Sequence, residues 1–185
     1  MPDDKKELAK ATFAGGCFWC VESDFESVEG VTKAVSGFTG GTTKNPTYKQ
    51  VSKGGTGHLE SVRITFDPSI TSFERLVYLF WRSVDPTDAG GQFCDRGESY
   101  TTAIFVMSDE QRQSAEASKA SLADPEVFGH PVVTPIRMAT DFWPGETYHQ
   151  NYHSKKPLRY RYYRNSCGRD KRVKALWGEE AWAAK

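Results

Sequence analysis

The chain carries no net charge, its 24 Lys and Arg being cancelled by 24 Asp and Glu. No global field therefore draws it to nucleic acid or to an anionic membrane. It has no apolar run near the roughly eighteen residues of a membrane span. The opening Met1-Pro2-Asp3-Asp4-Lys5-Lys6-Glu7 lacks the apolar stretch of a secretory leader. The expectation is a cytoplasmic protein, although a chain whose leader had been removed would read the same, which leaves a periplasmic location open. Internal repeats and low-complexity segments are also missing. Cysteine is scarce: four in 185 residues are too few for a disulfide scaffold. Their spacing is lopsided, with Cys17 and Cys20 close together and Cys94 and Cys167 remote, a pattern of cysteine chemistry and not of stapling.

What remains fits one domain, residues 1–185, long enough to bury a core without disulfide or metal. Ala11 to Ala14 is a short apolar stretch ending in Gly15-Gly16. Phe18, Val21, Phe25 and Val28 then recur at helical spacing, so strand, tight turn and helix are expected. Val31 to Phe38 reads as a second strand and Gly40 to Pro46 as a polar loop. Val62, Ile64 and Phe66 alternate with Arg63 and Thr65, as in a strand with one buried face that stops at Asp67-Pro68. Phe73, Leu76, Val77, Phe80 and Val84 form a helical stripe, followed from Asp85 to Ser99 by a Gly- and Asp-rich surface loop. Tyr100 to Met107 is a strand, and Ser108 with Gln111 starts a helix lasting to about Leu122. Val132 to Met138 reads as an edge strand, because Pro135 cannot donate to a ladder.

This order is that of an α/β (α+β) fold, a two-layer split βαβ, ferredoxin-like sandwich with a core of about residues 8–140. An extended, coil-rich C-terminal tail, residues 141–185, would wrap over it, with Leu176, Trp177 and Trp182 as anchors of a last helix.

Cys17 follows two glycines where a strand ends and a helix begins. Unpaired backbone N–H groups there favour a thiolate, the reactive form of cysteine. Against this stands the bland reading of a small buried hydrophobe. Cys17-Phe18-Trp19-Cys20 is also a Cys-x-x-Cys, which leaves a general thiol-disulfide oxidoreductase as an alternative. Cys17, Cys20, His149 and His153 can be written as a zinc set, but the long gap between the pairs argues against it, so no metal is assigned. Between Lys155 and Lys174 nine Lys or Arg face one Asp, with Tyr160, Tyr162 and Tyr163 among them. Without a nucleic-acid module this reads as a solvated flank for an acidic partner surface.

Gly16-Cys17-Phe18-Trp19 after a short strand resembles the active-site motif of the peptide methionine sulfoxide reductase A family. Four further segments match in order: Thr47-Tyr48 with Val51 and Gly54; Gly57-His58-Leu59-Glu60-Ser61-Val62; Asp85-Pro86-Thr87 with Asp95, Gly97 and Tyr100; and Tyr148-His149-Gln150 with Tyr152. The resemblance implies thiol-dependent reduction of methionine S-sulfoxide, free or in proteins, as repair of oxidative damage. It implies Cys17 as nucleophile, Glu60 as acid, Tyr48 and Tyr100 as hydroxyl donors to the sulfoxide oxygen, and Phe18 and Trp19 as walls for the substrate methyl group. Asp95, His149 and Tyr152 would shape the site and hold the substrate. A second thiol would condense with the Cys17 sulfenic acid, and thioredoxin or another dithiol would reduce the resulting disulfide without any bound cofactor. Cys167, beside Gly168 in a segment expected to be mobile, is the first choice for that thiol, and Cys20 is its rival. Cys94 is either within reach of the site or an inert loop thiol. The chain is expected to act as a monomer, away from membranes and nucleic acid.

Overall fold

The computed structural model describes residues 7–122 and 128–182. The chain runs β1 (Ala9–Gly15), α1 (Phe18–Glu26), β2 (Val31–Thr39), α2 (Tyr48–Lys53), β3 (Leu59–Phe66), α3 (Phe73–Trp81), β4 (Gly91–Gln92), β5 (Asp95–Arg96), β6 (Thr102–Val106) and α4 (Asp109–Ala120). It continues through β7 (Ile136–Met138), β8 (Trp143–Pro144), α5 (Tyr152–Lys155), α6 (Pro157–Cys167) and α7 (Arg169–Trp177). Six strands form one sheet in the order β7-β6-β1-β3-β2-β8, antiparallel except for the β6–β7 pair. The predicted strand-helix-strand-strand-helix-strand order is therefore observed, and β7 lies at an edge as expected, but it begins only after Pro135, at Ile136.

Alternation divides the sheet into two faces. Phe13, Val62, Ile64, Ile104 and Val106 point at α1, α3 and α4 and share their core. There Phe13 stacks on Phe25 at 5.3 Å and on Phe80 at 4.9 Å. Ala14, Leu59, Ala103 and Phe105 form a smaller cluster with Ala139 behind the sheet. Local chemistry sets the helix starts: Ser72 accepts from the Arg75 N–H and Ser108 from the Gln111 N–H. Thr47 and Gln50 make a reciprocal capping box that starts α2.

Two expectations need correction. The stretch from Asp85 to Ser99 is not simply a surface loop: Asp85 and Gln92 are buried, and the β4–β5 hairpin forms within it. The Gln92 amide accepts from the Asp85 N–H and donates to the Asp85 carbonyl, so one side chain satisfies backbone that a loop would leave to water. The tail is also helical where coil was expected. Pro157 at the first turn of α6 and left-handed Gly168 after its last residue delimit that helix, but it has no apolar stripe. Its contacts are ionic and aromatic. Trp177 packs on the core as expected, while Trp182 meets Phe25 at 5.5 Å from beyond the last helix.

Candidate active site

The site is built where β1 ends. Gly15-Gly16 turns the chain at the end of β1; Gly16 has φ +82°, and a Cβ there would lie 2.6 Å from Gln92 Cβ, so glycine is required. Cys17 follows as the residue that caps α1. Strand register then delivers the partners. Phe13 pairs with Val62, and extending that register by two residues sets Gly15 opposite Glu60. On the other side Gly15 pairs with Thr102, so Tyr100, two residues earlier, also comes to this end of the sheet.

Glu60 is buried, and its Oε2 accepts from the Phe18 N–H at 3.1 Å, so the carboxyl caps α1 beside Cys17. Burial, aided by the nearby Asp95 and Cys20 charges, pushes the Glu60 pKa up to about 8, and the Phe18 bond only partly opposes this. Burial likewise holds the Tyr48 and Tyr100 hydroxyls above their ordinary range, and the two are hydrogen-bonded to each other. Both are protonated donors at neutral pH.

Cys17 does not behave as the helix position predicts. Its thiol is pushed well up, first by burial and then by the neighbouring Cys20 and Glu60. Cys20 is pulled down, first by its hydrogen bond with Cys17 and then, against burial, by Arg169 and Arg164. Of the two, Cys17 is the thiol pushed up, because desolvation outweighs the helix N-terminus. Both are free thiols, buried in one cluster with Trp19, Tyr152, Tyr160 and Tyr163.

Trp19 lies flat on Tyr152, with ring centroids 3.8 Å apart and planes 7° apart, and its Nε1–H donates to His149 Nδ1 at 3.0 Å. That bond fixes the neutral tautomer with hydrogen on Nε2, an atom buried without a hydrogen-bond partner among the described residues. Burial holds the His149 pKa down. Phe18, fully buried, stands 4.9 Å from the His149 ring and 6.3 Å from that of Tyr48. The segment after β8 is held by Gln150, whose amide accepts from the Ser36 N–H and donates to the Ser36 carbonyl. The buried carboxylate Glu22 accepts from the Asn151 N–H. His153 lies apart, 2.9 Å from Glu26, so the written zinc set is not gathered among the described residues.

The remaining cysteines are joined: Cys94 and Cys167 form a disulfide across 73 residues of sequence. Two expectations change with it. Cys94 is not an inert thiol, and Cys167 is not in a mobile segment but ends α6, with Gly168 as its left-handed cap. Tyr163, one turn earlier on α6, donates to Asp95, contacts Cys17 and lies 3.8 Å from the Cys167 sulfur. One hydroxyl thus sits between the two cysteine pairs. Sequence reading missed Tyr163, and also Arg169, whose buried guanidinium donates to the carbonyls of Gly15 at 2.6 Å and Ser83 at 2.9 Å. Their only sequence signal is membership of a basic, aromatic run that reads equally well as a solvated flank.

A buried thiol, a protonated carboxyl, two hydroxyl donors and an aromatic wall can cleave a polarised bond to oxygen. The family model described as peptide methionine sulfoxide reductase matches residues 9–181. The chain belongs to this family. It is therefore an enzyme that reduces methionine sulfoxide by thiol chemistry. It is 50% identical over 183 residues to peptide methionine sulfoxide reductase MsrA 2 of Rhizobium meliloti, covering 99% of this chain and 90% of that protein. Against MsrA of Bacillus licheniformis the identity is 51% over 177 residues, covering 96% and 97%. Among solved structures, methionine sulfoxide reductase A of Corynebacterium diphtheriae superposes with a TM-score of 0.74 at 29% identity, over 84% of this chain and 78% of that one. Reduced Mxr1 of Saccharomyces cerevisiae gives 0.73 at 26%, over 84% and 89%. Among the described residues no helix is long and apolar enough to cross a membrane.

Proposed function

We propose that Cys17 is the nucleophile for methionine S-sulfoxide, free or in proteins, with Glu60 as the acid. The observation that carries this reading is the protonated, buried Glu60 held at the first N–H of the helix that Cys17 caps. The Cys17 sulfur attacks the sulfoxide sulfur while Glu60, Tyr48 and Tyr100 donate to its oxygen, which is otherwise a poor leaving group. The oxygen passes to Cys17: thiol and sulfoxide become sulfenic acid and thioether. Phe18 and Trp19 wall the methyl group, His149 Nε2–H is the donor left for a substrate carbonyl, and Asp95 and Tyr152 hold Tyr163 and Trp19 in place.

Recycling then runs through Cys167. Reduced Cys167 condenses with the Cys17 sulfenic acid and releases water; Cys94 displaces Cys17 from that disulfide, leaving the Cys94–Cys167 bond. Cys94 is exposed, so a dithiol protein such as thioredoxin has access to it. No bound cofactor is required for these steps, and the proposed unit is a single catalytic domain acting as a monomer. Cys20, hydrogen-bonded to Cys17, is the competing thiol.

The test is single-turnover reduction of S- and R-methionine sulfoxide by prereduced protein, followed by intact-mass analysis. Reduction of the S-epimer alone, with none by Cys17→Ser, is expected. Wild type that reduces neither epimer would return the Cys-x-x-Cys to general disulfide exchange.

A further inference from the structure

The basic run of the tail is not one solvated flank. Arg164 is spent on Asp24 and Asp170, Arg172 on Asp85, and Arg169 on backbone carbonyls. Six cations remain, all exposed, and three of them, Lys155, Lys156 and Arg159, line a groove of about 360 Å³ with Trp19, Tyr148 and Tyr152. No carboxylate lines this groove, and among the described residues none of the three cations is in an ion pair. Lys155 is partly engaged, donating to the Thr147 carbonyl at 2.9 Å. Tyr148 is 56% exposed, and the reaction gives it no task.

The groove and the proposed reaction pocket share a wall. Trp19 packs in the Cys17 cluster and also lines the groove. A polypeptide whose oxidised methionine meets Cys17 carries its neighbouring residues past Trp19 within one or two extended steps, at roughly 3.3–3.6 Å each. We propose that this groove is a subsite for an acidic side chain flanking the oxidised methionine of a polypeptide substrate. The aromatic floor packs against the stem of that side chain, and Lys156 and Arg159 meet its carboxylate. This inference rests on Cys17 being the sulfoxide nucleophile.

Position separates this occupant from the reductant. Arg159 is near the start of α6 and Cys167 at its end, eight residues on, or roughly 12 Å along the axis. A reductant seated on the disulfide approaches the opposite end of the helix. The groove is also of side-chain dimensions, not those of a protein face.

The test compares two peptides that differ only in Glu or Lys beside a methionine S-sulfoxide, together with free methionine S-sulfoxide. Dithiothreitol is the reductant, and wild type is measured beside Lys156→Glu/Arg159→Glu. Wild type is expected to favour the Glu peptide by roughly three- to tenfold in kcat/KM, the scale of exposed charge pairs, with the preference shrinking in about 0.5 M salt. The charge-reversed variant should lose or invert the preference and keep its rate on the free sulfoxide. Equal rates on both peptides in wild type overturn the subsite. So does a variant that keeps the preference with dithiothreitol but slows with thioredoxin, which would make the cations a reductant surface. Failure of wild type on all three substrates would sink the nucleophile reading instead, and the free sulfoxide tells the two failures apart.

Discussion

The Phe18 N–H donates to Glu60 Oε2 across 42 residues of sequence. The bond ties the acid to the turn that carries Cys17, while burial keeps the carboxyl protonated up to a pKa of about 8. The sign follows. A group that must donate a proton serves below its pKa, so the single-turnover rate should hold through neutrality and fall as pH rises through about 8. Glu60→Ala should slow sulfoxide reduction by roughly 10²–10⁴-fold, the usual range for a positioned acid. Glu60→Gln should remove the limb near pH 8. A wild-type limb that survives in Glu60→Gln would assign it to another group.

The same carboxyl sets a stability prediction. In the unfolded chain it ionises near 4.3, and in the folded protein near 8. Between these values the unfolded state has lost the proton that the folded state keeps, so the Glu60 contribution to stability falls as pH rises, by at most about 1.4 kcal/mol per pH unit. Glu60→Gln does not titrate. Its stability relative to wild type should therefore rise between pH 5 and pH 8, read from urea midpoints at both values. A constant difference would mean that Glu60 is ionised in the fold.

The parts of the fold that were legible in the sequence are those written in apolar periodicity. The α1 and α3 stripes and the alternation of Val62, Ile64 and Phe66 all report burial against one sheet. The tail has no such record. Pro157-Leu158-Arg159-Tyr160-Arg161-Tyr162-Tyr163-Arg164 is polar on every face because its helix is held by ion pairs and rings, and a pattern of charges does not name its partners. The site was legible only as residue types in order. The desolvation that pushes the Cys17 thiol up, and the meeting of Cys94 and Cys167, depend on how distant segments pack.

The recycling route separates the cysteines by experiment. Cys17→Ser should abolish the first turnover. Cys94→Ser and Cys167→Ser, fully reduced, should each reduce about one equivalent of sulfoxide, because neither touches the reacting sulfur in the proposed first step. Multiple turnover with thioredoxin should then fail in both. By mass, Cys167→Ser should retain the sulfenic acid on Cys17, and Cys94→Ser should hold a Cys17–Cys167 disulfide. If Cys20→Ser alone accumulates the sulfenic acid, the hydrogen-bonded neighbour is the resolving thiol and the α6 route is wrong.

Arg164 is where the tail's attachment can be tested. Its Nη1 lies 2.7 Å from Asp24 Oδ1, its Nη2 lies 2.6 Å from Asp170 Oδ1, and its side chain is 14% exposed against 6% for Asp24. Burial alone would push the Asp24 proton on, and Arg164 is the main force opposing it. Removing one partner of such a pair strands the other charge at a cost of about 3–5 kcal/mol, whereas neutralising both costs far less. Arg164→Met should therefore lose stability on that scale in urea unfolding with the Cys94–Cys167 bond intact, and Arg164→Met with Asp24→Asn should recover most of it. The stranded Asp24 in the single variant takes up a proton, so its deficit should narrow as pH falls toward 5. A single variant as stable as wild type would mean that α6 is held by its aromatic contacts on Trp19 and the disulfide, with the ion pair contributing little.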